Sequence, residues 1–125
     1  MTTQTYGHNL ALWEQAKQEA IRAILIHART RPIFYSELTT HIGSIAFDPH
    51  RFDFHELLYQ ISAEEDAAGR GLISALVVHK HDGMPGQGFF DMAQTLGRDV
   101  PNKEQCWTRE VTAVMSHFDN HPLAS

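Results

Sequence analysis

Histidine is the residue type that offers most chemistry in this sequence. The chain of 125 residues contains nine histidines, and an imidazole can bind a metal, transfer a proton or gain a charge in mild acid. His79 and His81 alternate at the end of an apolar segment, so an extended chain would place both on one face, beside Asp82. Two imidazoles and a carboxylate are compatible with metal binding or with acid–base cleavage of a phosphodiester. The alternative is a set of solvated side chains at a strand end.

A second histidine pair lies near the C-terminus. His117 and His121 are four residues apart, and a helix would therefore place them on one face. Pro122 follows at once, and the pair lacks the Glu-x-x-His pattern of a zinc-binding helix. We predict no metal site, with this pair as the remaining metal candidate, and we expect no cofactor.

Three glycines punctuate the segment after the first histidine pair. Gly83, Gly86 and Gly88 precede a predicted helix, and exposed amides at such a point can bind an anion. Lys80 and Arg98 are the cations that would assist. No Gly-Lys-Ser/Thr follows, so this is not a P-loop. The alternative is a tight turn that lets the next two aromatic residues pack under the preceding strand.

Other common catalytic arrangements are missing. No serine lies in a Gly-x-Ser-x-Gly pattern. Cys106 is the only cysteine, which excludes an intramolecular disulfide and a four-cysteine zinc site. It lies beside the apolar residues of the last predicted helix, so we expect it to pack rather than to act as a nucleophile. The sequence therefore favours a non-enzymatic protein.

The elements that must position these residues are mainly helical. Apolar residues at three- and four-residue spacing, beginning with Leu10, predict a first helix over Leu10–Arg31 with Asn9 as its N-cap. A short extended segment and a short helix over Glu37–Ile42 follow. We expect Ser36 to cap this second helix and Gly43 to close it in a left-handed conformation.

The third helix carries the most acidic part of the chain. A capping box at Asp53 predicts its start, and Gly69 predicts its end. Its apolar residues should face inward, and its outer face should hold the acidic run Glu64, Glu65 and Asp66.

A strand and two helices complete the prediction. The apolar segment Leu72–Val78 predicts a strand with both faces covered. A short helix closed by Gly97 follows the glycine loop, and Asn102 caps a last helix that Pro122 ends. The predicted core includes one residue from each main element: Trp13, Ile24, Leu58, Val77, Phe89 and Trp107.

Composition and order together define a fold class. With 42% apolar and 20% charged residues, we predict one domain over residues 1–125, with 1–8 and 120–125 as mobile tails. Its class is α-rich α+β, with one buried strand or small sheet and two C-terminal helices. The first residues have neither a basic nor an apolar stretch, so we expect no signal peptide and a cytoplasmic location. The longest apolar segment is too short to span a membrane.

The order of elements is similar to that of winged-helix domains, including the DNA-binding half of alkyltransferase-like proteins. Tyr35-Ser-Glu-Leu-Thr39 and the short helix ending at Gly43 look like the opening of a helix-turn-helix. The strand and loop that follow would occupy the place of a wing. The reactive Pro-Cys-His-Arg of true alkyltransferases is replaced by Ala75-Leu-Val-Val-His79, so alkyl transfer is not implied. Leu72–Val78 with Gly83–Phe90 also resembles a segment of small bacterial modules.

Charge decides between partners. The formal charge is −5, and residues 44–71 carry six Asp/Glu against two Lys/Arg. The acidic run lies on the helix that reads DNA in a winged helix, where it would be repelled by phosphates. We therefore predict recognition of another protein, one with a basic surface. The expected contacts are Glu64, Glu65, Asp66, Met84 and Gln87. The alternative is that the acidic run is an ordinary solvated face.

Two other functions stay open from the sequence. One is binding of nucleic acid, through the basic residues Arg22, Arg29, Arg31, Lys80 and Arg98. The other is a metal- or histidine-dependent phosphodiesterase or nuclease that uses His79, His81 and Asp82.

Overall fold

The structure, a computed structural model, describes residues 4–120 and confirms the α-rich α+β class. Its helices are α1 (Leu10–His27), α2 (Tyr35–Thr40), α3 (Phe52–Ala67), α4 (Gln87–Thr95) and α5 (Lys103–Asn120), with a 3-10 turn at Ile73–Leu76. Its strands are β1 (Gln4–Thr5), β2 (His8–Asn9), β3 (Ile33–Phe34) and β4 (Val77–Val78). β1 and β2 pair antiparallel, whereas β3 and β4 pair parallel.

The N-terminal hairpin of β1 and β2 contacts α1 and α3 through the side chains of Tyr6 and His8, and the mobility of residues 1–8 stays a prediction. Tyr6 donates from its hydroxyl to Glu56 at 3.0 Å, and the ring of His8 lies 2.8 Å from the carboxylate of Asp53. The His8 ring also stacks on Trp13, with centroids 5.8 Å apart. These contacts place β1 and β2 against α1 and α3. Residues 1–3 and 121–125 lie outside the described part of the chain.

Helix α1 begins as predicted and ends earlier. The side-chain oxygen of Asn9 accepts from the amides of the second and third following residues, which confirms the N-cap. The helix stops at His27 rather than Arg31; Pro32 disfavours a helical Arg31, and in a continued helix its ring would clash with the carbonyl of Ala28. Leu10 is 38% exposed instead of buried, whereas Trp13 is fully buried.

Helix α2 lies two residues nearer the N-terminus than predicted. Glu37, not Ser36, caps it: its carboxylate accepts from the amide of Phe34 at 3.2 Å. The helix ends at Thr40, and Gly43 does not adopt a left-handed conformation. The earlier end explains this, because the chain has already left the helix when it reaches Gly43.

Helix α3 lacks the predicted capping box. It begins at Phe52, and its N-cap residue Arg51 makes no side-chain capping bond. One carboxylate oxygen of Asp53 accepts from the amide of Phe54 at 2.9 Å, and the other binds His8, a partner 45 residues away that local pattern cannot reveal. The end is close to the prediction, since the helix ends at Ala67 and Gly69 follows with φ of 81°.

The apolar segment before the glycine loop is buried as predicted but is mostly not a strand. Residues 73–76 form the 3-10 turn, and only the last two residues join the sheet. The amide of Ser74 donates to the hydroxyl of Ser62 at 2.9 Å, and that hydroxyl donates to the hydroxyl of Ser74 at 2.7 Å. This buried bond to α3 holds the backbone in a turn. Among the described residues no further strand pairs with β4.

The predicted core is largely confirmed. Trp13, Ile24, Leu58, Val77 and Phe89 are buried. Trp107 is half-buried, and its indole N–H donates to the carbonyl of Ala75 at 2.8 Å.

The C-terminal helices follow the prediction. Gly97 closes α4 with φ of 89°. Asn102 caps α5 by accepting from the amide of Gln105 at 3.0 Å. Within the described residues, none of the helices has both the length and the apolar character needed to cross a membrane.

Candidate functional site

The parallel pairing of β3 and β4 creates the candidate site. Phe34 pairs with Val78, so the next residues, Tyr35 and His79, leave the sheet side by side. Their ring centroids lie 4.7 Å apart. The carboxyl ends of parallel strands are a frequent place for ligand sites, because the side chains that follow them converge at one edge of the sheet.

A cleft of about 400 Å³ opens at this edge. The backbone of the glycine loop and the first turn of α4 form one wall, and α3 forms the opposite wall. The side chains that can form hydrogen bonds in it belong to Tyr35, His55, Glu56, Tyr59, Ser74, His79 and Gln87. We call this space the Tyr35 cleft.

Tyr35 is the fixed polar group of the cleft. It is only 8% exposed, and its hydroxyl oxygen accepts from the amide of Gly86 at 3.0 Å. Burial raises the pKa of the Tyr35 phenol above its ordinary value, so the hydroxyl stays protonated near neutral pH. Since the oxygen already accepts from Gly86, the hydroxyl hydrogen is the part that can bind a ligand.

His55 also lies near the Tyr35 ring, with centroids 5.6 Å apart. Its Nε2 lies 3.0 Å from the carbonyl oxygen of Pro49. A carbonyl only accepts, so Nε2 carries the hydrogen and Nδ1 is the nitrogen without one in the neutral ring. Partial burial lowers the pKa of His55, and the nearby His79 and His50 lower it further.

Gly86 leaves little room for a side chain. A Cβ atom at this position would come within 3.0 Å of His79 Nε2 and 3.7 Å of the Tyr35 hydroxyl oxygen. Two backbone hydrogen bonds, each 2.9 Å long, hold the loop before it. The amide of His79 donates to the carbonyl of Met84, and the carbonyl of His79 accepts from the amide of Gly83. The predicted tight turn is therefore present, and it brings the loop backbone against Tyr35.

A second cavity of about 330 Å³ shares Tyr35 and His79 with the Tyr35 cleft. His50, Lys80 and His81 line its other side. Four histidines from the turn before α3, from α3 and from the segment after β4 therefore surround one buried tyrosine. We call His50, His55, His79 and His81 the histidine cluster.

The predicted set of His79, His81 and Asp82 is only partly assembled. The rings of His79 and His81 stack with centroids 5.1 Å apart, as expected for one face. Asp82 lies 3.5 Å from the ring of His81 and accepts from the amide of Met84 at 3.0 Å. Within residues 4–120, no three His, Cys, Asp or Glu side chains converge in a way that could hold a metal ion.

The other metal candidate falls partly outside the described residues. His117 lies on α5, and His121 lies beyond the part that the structure describes. Cys106 is fully buried, and burial raises the pKa of its thiol. Both observations agree with a packing role for Cys106, because a nucleophilic cysteine needs a lowered pKa and access.

The acidic run on α3 is only partly the open face that the sequence indicates, since Glu64 is exposed and Asp66 is half-buried. Glu65 is 8% exposed and is ion-paired with Arg70. Asp66 accepts from the guanidinium of Arg98, with one bond of 3.0 Å, and Glu64 is ion-paired with the buried Lys17. Long-range charge pairing therefore neutralises a run that looks solvated in the sequence.

The predicted contacts in the glycine loop have different positions. Gln87 lines the Tyr35 cleft, where its amide also donates to Asp91 at 2.9 Å. Met84 is half-buried and packs against the smaller apolar cluster that α4 and α5 form. The loop therefore belongs to the site, chiefly through Gln87.

The predicted basic contacts are dispersed. Arg22 and Arg29 on or just after α1 are exposed, as is Lys80 beside the second cavity. Arg31 forms a two-bond pair with Glu37, at 2.9 and 3.0 Å. Arg98 is committed to Asp66 and Glu110, so it is unavailable to a nucleic acid or an anion.

Comparison of the chain with family models, curated proteins and solved structures finds no match. The site therefore rests on its own geometry. Sequence reasoning missed Tyr35 and His55 as site residues, because Tyr35 lies in a short element and His55 has no neighbouring partner. The signal that could have found them is the pairing of the segments before Tyr35 and His79, and this pairing is a long-range property.

Proposed function

We propose that this chain is a small, non-enzymatic recognition module that binds a partner protein through the Tyr35 cleft. The observation that carries the proposal is the buried Tyr35 hydroxyl, which the Gly86 amide fixes at the junction of two cavities. A polar group held in this way can donate a hydrogen bond to a ligand with little further loss of conformational entropy.

The rim of the cleft supports contact with a macromolecule. Phe52 is 67% exposed and Tyr59 is 38% exposed, and both line the cleft. Exposed aromatic side chains beside a pocket with fixed polar groups are typical of protein recognition surfaces. The acidic run on α3 supports this role less, since each of its carboxylates is ion-paired within the chain.

Binding is better supported than catalysis. The hydroxyl of Ser74, the serine that lines the cleft, is bonded to Ser62 rather than to a histidine. Tyr35 and His55 are both neutral near pH 7, by the directions in which their pKa values move. The cleft thus offers hydrogen-bonding groups, but it lacks the pairing of a nucleophile with a base that covalent catalysis needs.

Comparison of two glycine variants as baits tests the proposal. Gly86→Ala places a methyl group against His79 and Tyr35, whereas Gly43→Ala only meets the carboxylate of Glu19 at an ordinary 3.7 Å. We expect proteins retained from cell extract by the wild type and by Gly43→Ala to be lost with Gly86→Ala. Thermal unfolding of all three checks that the fold is kept. Retention of the same proteins by the folded Gly86→Ala variant would refute the proposal.

A second proposal is nucleic-acid binding by a winged-helix-like arrangement. The ion pairs of the acidic run favour it, because they weaken the repulsion of phosphates by α3. Arg22 and Arg29 are the exposed cations available to such binding. A binding assay on duplex DNA at several salt concentrations tests this proposal, since phosphate contacts give affinity that falls steeply with salt. Absence of binding at low salt would refute it.

A further inference from the structure

We infer that the Tyr35 cleft seats a tetrahedral oxyanion carried by its partner, a phosphoryl group, and that seating tightens as the histidine cluster becomes protonated. This inference rests on the proposed function, because it names the group that the cleft recognises. It is carried by four imidazoles and one buried hydroxyl, from different elements, that line two cavities sharing Tyr35 and His79.

Several side chains that can donate hydrogen bonds line the two cavities. The hydroxyl oxygen of Tyr35 accepts from the amide of Gly86, and the hydroxyl hydrogen is the part that can be donated to a ligand. His79 lies against this tyrosine, and His81 stacks on His79. His55 has its Nε2 hydrogen bonded to Pro49, so protonation adds a new donor at Nδ1. Donors on several sides suit the three terminal oxygens of a phosphoryl ester better than the two oxygens of a planar carboxylate.

The charge around the cavities depends on the protonation state of the histidine cluster. Apart from the histidine cluster and Tyr35, Glu56 and Lys80 line the cavities, and the charged groups that adjoin other lining residues are Asp48, Asp82, Asp91, Lys103 and the pair of Arg31 with Glu37. Carboxylates therefore outnumber cations while the histidines are neutral. Protonation of the cluster makes the cations more numerous than the carboxylates.

The carboxylates of Glu56, Asp48 and Asp82 already accept hydrogen bonds from the chain itself. Glu56 accepts from the Tyr6 hydroxyl at 3.0 Å, and Asp48 accepts from the amide of His50 at 2.8 Å. Asp82 accepts from the amide of Met84 at 3.0 Å. These bonds hold the carboxylates to the backbone or to the N-terminal hairpin. They leave the imidazoles as the groups whose charge responds to mild acid.

The walls indicate that the anion is carried on a larger group. Leu58, Phe89 and Met92 line the cleft beside the polar groups, and Phe52 and Tyr59 expose their rings at its edge. A free ion would leave this apolar surface uncovered. A phosphorylated side chain would place its stem or ring on it, which removes apolar area from water.

Titration of the whole chain with inorganic sulfate tests the inference without a change in ligand charge. Sulfate stays doubly charged from about pH 5.5 to about pH 8, across the range in which histidine titrates, and chloride holds the ionic strength constant. We expect the dissociation constant, read from amide and imidazole NMR shifts, to fall at least about tenfold on acidification. A dissociation constant that does not change with pH would overturn the inference.

Two histidine variants locate the effect. His79→Gln should lose most of the gain in affinity at low pH, and His81→Gln should reduce it without risk to folding, because that side chain is 77% exposed. The control is His27→Gln, since His27 stacks on His41 with centroids 4.1 Å apart at another surface. An equal gain in the wild type, His79→Gln and His81→Gln would show that sulfate binds elsewhere and would overturn the inference.

A comparison of two phosphates separates a carried group from a free ion. Phenyl phosphate loses its second proton at lower pH than inorganic phosphate, so the comparison is made at about pH 5, where both are mainly singly charged and differ mainly in the ring. We expect phenyl phosphate to bind about tenfold more tightly, and Phe52→Ala to remove most of this difference. Equal affinities would overturn the assignment to a carried phosphoryl group.

The outcomes for the inference and for the proposed function are distinguishable. Loss of partners by Gly86→Ala, with no binding of sulfate at low pH, would refute the oxyanion and keep the recognition role. Cleft-dependent binding of sulfate, with partners unaffected by Gly86→Ala, would support the oxyanion seat and refute the recognition role.

Discussion

The bond between Ser62 and Ser74 provides a sharp test of the fold around the cleft. Ser62 is fully buried on α3, and its hydroxyl accepts from the amide of Ser74 while donating to the hydroxyl of Ser74. Ser62→Ala removes both bonds and leaves a buried amide without an acceptor. An orphaned buried donor costs about 1–3 kcal/mol, and we expect a loss of about 2 kcal/mol in the free energy of unfolding.

The expected sign depends on the tertiary structure. If residues 72–78 were a regular strand, as the apolar pattern predicts, Ser62→Ala would remove a hydroxyl from the inner face of a helix. Alanine is the better helix former by about 0.5 kcal/mol, so the change would then be neutral or stabilising. The 3-10 turn, with its amide bonded to Ser62, reverses the sign.

Denaturation by urea, followed by circular dichroism, measures the effect. The matched control is Thr112→Ala, which removes an exposed hydroxyl that donates to the carbonyl of Thr108 within α5 at 2.7 Å. We expect the control to change the free energy of unfolding by less than about 0.5 kcal/mol. If Ser62→Ala were as stable as Thr112→Ala, the turn would not depend on this bond and the reasoning would be wrong.

Three further predictions concern the core, the ion pairs and pH. Val77→Asp places a charge at a fully buried strand position and should abolish cooperative unfolding at room temperature; a cooperative transition would contradict this. Arg98→Met leaves Asp66 and the buried Glu110 without their cation and should cost about 2 kcal/mol, measured in urea; wild-type stability would show that the pairs contribute nothing. The pKa of His55 is lowered in the folded chain, mainly by burial, so its contribution to stability is present above the unfolded pKa and is lost as pH falls through the folded one. His55→Gln should therefore reduce the loss of thermal stability below about pH 6.5, and an unchanged pH profile would refute the role of its burial.

Several local features followed from the sequence because their causes are local. The side chain of Asn9 reaches the amides two and three residues later, so one residue type at one position predicts the start of α1. Gly97 ends α4 because the left-handed conformation that closes the helix is adopted most easily by a residue without a Cβ atom. The burial of Leu72–Val78 also followed, since a continuous apolar segment must leave water whatever its backbone conformation.

The site and the state of the acidic run depended on pairing between distant residues. Glu65 and Asp66 look like a solvated pair in the sequence, but Asp66 meets Arg98 thirty-two positions away, and burial of Glu65 accompanies its pairing with Arg70. Asp53 likewise binds the distant His8 while its other carboxylate oxygen accepts from the amide of Phe54 in its own helix. The amino-acid sequence gives the number of carboxylates, whereas the tertiary structure decides which of them face solvent.

What the sequence by itself determined is the helical frame, the buried segment and the tight glycine turn. Each of these follows from periodicity or from backbone freedom within a few residues. The tertiary structure alone decided that Tyr35 and His79 meet, because parallel pairing of Ile33–Phe34 with Val77–Val78 joins residues more than forty positions apart. No spacing within either segment encodes that register, and it is the register that turns scattered histidines and one tyrosine into a cleft.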